Sequence, residues 1–169
     1  DSLLLKKINI DAWVYGPGIP TNHPAIESNK FRLVANEIER LNSGVPANEL
    51  IAETWSTHEW LHFLRQLDHK MSENQMKELD ASFGFTRSGN AEILAAWFMH
   101  VIRNDYYDSY GELEAFLVTV GRRKFLTPLY RELVKTKENY IKGEEIYKKA
   151  RPNYHSISVS TIDGIFNES

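Results

Sequence analysis

The chain has 169 residues, 42% hydrophobic and 25% charged, with Lys+Arg 20 against Asp+Glu 23, a net charge of −3 and no cysteine. That length makes one domain able to bury a real core, and the composition excludes global disorder, collagen and low complexity. The near balance of charge withholds the basic footprint that a nucleic-acid partner needs. The lack of cysteine removes disulfides, thiolate nucleophiles and cysteine metal clusters.

Leu3, Leu4 and Leu5 are cut off by Lys6 and Lys7, too short a run for a signal segment or a membrane span, so no membrane partner is expected. The start at Asp1 points to a processed product or a piece of a longer polypeptide. Residues 1–30 read as an irregular lead-in or interdomain linker, with Gly16-Pro17-Gly18-Ile19-Pro20 unfit for helix interior. Trp13, Val14 and Tyr15 are apolar enough to dock this lead-in onto a core. From residue 31 to 169 a helical domain follows.

Phe31, Val34, Ile38 and Leu41 make one amphipathic stripe, ended by Asn42-Ser43-Gly44. Pro46 is expected to open a helix running through Leu50, Ile51 and Trp55. Ser56 or Thr57 caps the next, over 58–70, and Ser72 caps another that ends near Gly84. Helical spacing then predicts Asn90–Asn104, Ser109–Val120, Arg122–Lys135 with Pro128 in its first turns, and Lys137–Lys149. After Pro152 the β-branched run around Ser156–Val159, Thr161 and Ile162 predicts an extended tail. About eight short helices with brief loops and no clean repeat predict an all-α, irregular helical superhelix of stacked antiparallel pairs.

His58-Glu59-Trp60-Leu61-His62 matches H-E-x-x-H, in which two histidines one helical turn apart hold zinc and the glutamate acts as base. Here the pattern reads as chance. At about 100° per residue, Trp60, Leu61, Leu64, Leu67 and Met71 share one side while His58, His62, Arg65 and His69 share the other. The gluzincin position for a third ligand is Ala81, and the metzincin continuation needs a glycine where Arg65 stands. An all-helical chain of this size also leaves little for the walls of a cleft. We therefore expect no metal bound by this chain.

Gly121-Arg122-Arg123-Lys124-Phe125 places cations at a helix start, where the macrodipole disfavours each by about 0.3–1 kcal/mol. Cations fixed beside open backbone N–H groups make a site for a carboxylate or phosphate; solvated side chains packed by their stems are the alternative. Trp13, Trp55, Trp60 and Trp97 read as core anchors, and Asp105 to Tyr110 as a solvated aromatic loop.

The segment from Gly121 to Tyr130 resembles the G-R-x-K-F-x-x-P-L-[FY] signature of the C-terminal domain of leukotriene A(4) hydrolase and its aminopeptidase relatives. Asp11 to Pro20 resembles that family's x-A-W-[LV]-Y-x-P-G-[LIF]-P entry to the same domain. Asn90-Ala91-Glu92-Ile93 with Trp97 resembles its N-[SA]-E-I-x-x-x-W helix. These are zinc aminopeptidases related to aminopeptidase N, and the resemblance implies an armadillo-like superhelix that walls one side of the active-site cleft. It implies zinc in an upstream catalytic domain of the same polypeptide, short peptides as substrate, and a cytoplasmic location. By motif position, Arg122 and Lys124 would hold the peptide's C-terminal carboxylate, while Arg123 falls at the variable place between them. A non-enzymatic helical scaffold for protein partners and a compact metallopeptidase using His58, Glu59 and His62 are the competing readings.

Overall fold

The structure, a computed structural model, describes residues 9–22 and 29–168. Among these the chain forms nine α-helices and no strand. They are α1 (Ile10–Val14), α2 (Asn29–Asn42), α3 (Thr57–Gln66), α4 (Glu73–Phe83), α5 (Ala91–Arg103), α6 (Tyr110–Thr119), α7 (Arg123–Leu133), α8 (Lys137–Ala150) and α9 (Ser156–Asn167).

Local chemistry sets the boundaries. The Ser72 hydroxyl accepts from the Gln75 N–H at 3.3 Å and the Gln75 side chain reaches back to the Ser72 N–H at 2.8 Å, a reciprocal cap that opens α4. Asn90 opens α5 by accepting from the Glu92 N–H at 2.9 Å, and Thr136 opens α8 through the Asn139 N–H at 3.3 Å. Helices α2 and α4 stop where Gly44 and Gly84 take φ of +94° and +64°, values that a Cβ would penalise.

Alternate helices stack. α2 packs on α3, α3 on α5, α5 on α7 and α7 on α9, giving one row; α6 packs on α8 in the second row. This two-layer stack is the expected superhelix, and one core runs between the layers. Trp97, Phe63, Phe98, Leu113 and Tyr130 are fully buried within it. The Trp97 indole N–H is satisfied there by the Thr86 hydroxyl at 2.8 Å.

The structure departs from the sequence reading in four places. The C-terminal tail is not extended but forms α9. Ser158, Ile162 and Ile165 recur at helical spacing and are buried, so burial against α7 outweighs the weak strand preference of the β-branched residues. Pro46 opens no full helix, only a single 3₁₀ turn over Ala47–Glu49, closed when Leu50 turns extended. In the lead-in, residues 10–14 form a short helix, and Trp13, Val14 and Tyr15 are exposed rather than docked on this core. The core-anchor role expected of the tryptophans therefore holds for Trp97 but not for Trp13. The Asp105–Tyr110 loop is also less solvated than expected: Tyr106 is buried, and the Lys142 ammonium sits 3.5 Å from the centre of the Tyr107 ring.

Candidate functional site: a cationic loop beside a helical groove

Arg122 is the N-cap of α7, with extended backbone at φ −79° and ψ 113°. A guanidinium cannot accept, so α7 opens without a side-chain cap, and in its first turn the Phe125 N–H donates to the Arg122 carbonyl at 2.9 Å. The loop before it is held from the far end of the chain, where the Ser158 hydroxyl on α9 donates to the Gly121 carbonyl at 3.2 Å. The helix that the sequence reading missed thus positions the basic loop.

Arg122, Arg123 and Lys124 are all exposed, whereas Phe125 is 5% exposed and wedged against Phe116. Both flanking cations gather around that one ring: the Arg122 guanidinium carbon is 5.7 Å and the Lys124 ammonium 4.8 Å from its centroid. The structure so brings together the two cations singled out from the sequence, and Arg123 makes no such contact. Their charges are committed differently. Lys124 is ion-paired with Glu92 in the first turn of α5, while Arg122 has no carboxylate partner among the described residues.

Lys124, Phe125 and Pro128 form one end of a groove of about 410 Å³ between α3, α5 and α7. Its floor is apolar, from Leu61, Leu64, Ala95, Ala96 and Met99, and Arg65, His69 and Arg103 stand around it. Pro128 lacks the N–H that would otherwise bond the Lys124 carbonyl one turn earlier. His100 also lines the groove and is buried, and burial pushes its imidazole pKa below the usual range, favouring the neutral ring. Its Nε2 lies 2.7 Å from the Leu64 carbonyl and so carries the hydrogen. Farther along, burial alone would raise Glu132, but bonds from Lys135 and Arg103 bring its carboxyl below the ordinary value.

The H-E-x-x-H segment lies at the start of α3. Glu59 is its third residue, and its Oε2 accepts from both the Ser56 N–H at 2.9 Å and the Ser56 hydroxyl at 2.7 Å. Lys30 approaches the same oxygen at 3.7 Å. The Ser56 hydroxyl, then its N–H, and the Lys30 charge hold this carboxyl below its usual range. The glutamate is occupied as a helix cap. His58 is exposed, and His62 stacks on Phe31 with ring centroids 4.6 Å apart. Among the described residues no three His, Asp or Glu side chains converge on one point, so these residues do not fit a zinc ion.

Comparison with known proteins gives the family of the chain. The profile of the family described as "Leukotriene A4 hydrolase, C-terminal" matches residues 55–166. The chain belongs to that family. Among its curated relatives are Leucine aminopeptidase 2 of Ajellomyces capsulatus, 29% identical over 166 residues, and Aminopeptidase B of Mus musculus, 26% identical over 133 residues. The matches cover 91% and 73% of this chain but only 25% and 20% of the relatives, so the chain spans about a quarter of their length. Among solved structures, "Structure of native yeast LTA4 hydrolase" shares the fold with a TM-score of 0.73 and 19% identity, covering 96% of this chain and 30% of that one. This is therefore a C-terminal helical domain of the leukotriene A4 hydrolase and aminopeptidase family.

The sequence singles out Arg122 and Lys124 as candidates and gives no role to Glu92, the partner that sets them apart. A signal was present: an acid in the first turn of one helix and a cation in the first turn of another are matched needs. Only the packing of α5 on α7 says that they meet.

Proposed function

We propose that this domain walls one side of the active-site cleft of a zinc aminopeptidase and that Arg122 and Lys124 grip the C-terminal carboxylate of short peptides. The catalytic zinc and its ligands would lie on an upstream domain of the same polypeptide, and the whole enzyme would act in the cytoplasm. A zinc ion in such a site polarises the scissile carbonyl and acidifies its bound water. The residues of this chain do something separate: they bind the far end of the substrate and so fix its register. Binding energy at the tail then orients the bond to be cut, which is how a remote contact raises rate as well as affinity.

The observation that carries this reading is the unspent charge of Arg122, which with Lys124 flanks the Phe125 ring at a helix start that lacks a side-chain cap. A planar guanidinium offers a carboxylate two parallel hydrogen bonds, and the ammonium adds a point charge beside it. No helix among the described residues is long and apolar enough to cross a membrane, which fits a substrate met in water.

The test uses the full-length enzyme and two matched substrates, trialanine and its C-terminal amide. Wild type is expected to favour the free carboxylate, and Arg122→Ala to erase most of that preference. An Arg122→Ala enzyme with the preference intact would remove the assigned role.

A further inference from the structure

We infer that Glu92 is a positioning residue of the carboxylate grip, acting through Lys124, which rests on the function proposed above. Lys124 is the second residue of α7, where a cation faces the positive end of the helix. Its stem is flexible and its ammonium half-exposed, so left alone it would sample many rotamers. Glu92 removes both problems. It sits in the first turn of α5, the favoured place for an acid, and its Oε1 pairs with the Lys124 ammonium across the α5–α7 contact. An ammonium has three donors, so one bond to Glu92 leaves two for a substrate carboxylate. Held this way, Lys124 stays over the Phe125 ring beside Arg122.

Glu92 also lowers the net charge of the grip, which by itself would weaken a carboxylate's hold. At a half-exposed site that screened charge is the smaller effect, and the ordering of a four-carbon stem is the larger. Removing Glu92 should therefore weaken the grip.

In the full-length enzyme, Glu92→Ala is expected to lower the preference for trialanine over its amide by about three- to ten-fold, less than the loss of a whole charge-assisted hydrogen bond. The change should fall on kcat as well as KM, because the grip orients the substrate as well as binding it. Glu92→Gln keeps an acceptor oxygen for Lys124 and should retain part of the preference. In a Lys124→Ala background, Glu92→Ala should change the ratio no further, because its effect runs through the lysine. A ratio that is unchanged or raised in Glu92→Ala, or a full additional loss in the Lys124→Ala background, overturns the inference. If Glu92→Ala melts at the assay temperature, Glu92→Gln carries the test: a ratio equal to or above wild type then overturns it. A ratio untouched by Arg122→Ala would sink the carboxylate reading itself. A ratio lowered by Arg122→Ala but not by Glu92→Ala sinks only the role of Glu92.

Discussion

Two charged clusters in this chain look equally functional as strings of letters, and the structure treats them in opposite ways. At the start of α3, His58, Glu59 and His62 spell a zinc motif, yet Glu59 is spent on capping its own helix and His62 lies against Phe31. At the start of α7, Arg122 spells a less familiar motif and keeps its charge unspent among the described residues. A motif is only chemistry if its reactive atoms are left over once the fold has been satisfied. The first cluster fails that test; in the second, Arg122 keeps its charge while Lys124 shares its own with Glu92.

The comparison can be broken most directly by mutating both clusters in one full-length enzyme. Arg122→Ala should cost about 10- to 150-fold in kcat/KM for a free-carboxylate peptide, the worth of a charge-assisted hydrogen bond. His62→Ala should cost far less, because that ring stacks on Phe31 and supplies no charge to the carboxylate. Steady-state kinetics on the same peptide for both variants checks the contrast, and a larger loss in His62→Ala would invert it.

A smaller effect separates a capping role from a catalytic one. Ser56→Ala removes the hydroxyl that Glu59 accepts from and should destabilise the fold by about 1 kcal/mol, read from urea unfolding. If Glu59 were a base on a metal-bound water, Ser56→Ala would leave stability alone and alter activity instead.

The acid limb of stability gives a finer reading. The folded state holds Glu59 below its ordinary pKa, first through the Ser56 hydroxyl, then its N–H, then Lys30. That stabilisation is present above the carboxyl's unfolded value and is lost as pH falls through the lowered folded one. Glu59→Gln should thus flatten the loss of stability on acidification below pH about 4.5, measured by thermal melting across pH. An unchanged acid limb would show that the cap carries no charge-dependent stability. Smallest of all is the expected metal signal: elemental analysis of the purified chain should give well under one zinc per molecule, unaltered in His62→Ala. Stoichiometric zinc that disappears in that variant would return the first cluster to contention.

What each line of reasoning could see follows from the range of the forces involved. Capping residues, glycine stops and apolar stripes act within a few residues, so Ser56, Ser72, Asn90 and Gly84 mark helix ends in the sequence as they do in the structure. The all-α fold and the position of Arg122 and Lys124 at a helix start were legible for the same reason. The tail around Ile157–Ile162 was not, because its β-branched residues vote locally for strand while their burial against α7 is a long-range fact. The lead-in failed similarly, since apolar composition at Trp13–Tyr15 does not say which surface, if any, covers it.

By itself, then, the sequence determined where helices begin, which faces are apolar and which charges stand at helix ends. Tertiary structure alone decided which of those charges stay free. Glu92 and Lys124 are far apart in the chain, and only the stacking of α5 on α7 joins them; Ser158 reaches Gly121 only because α9 folds back. Ion pairs and hydrogen bonds act over a few ångströms of space whatever the distance along the chain, so their partners are chosen by packing.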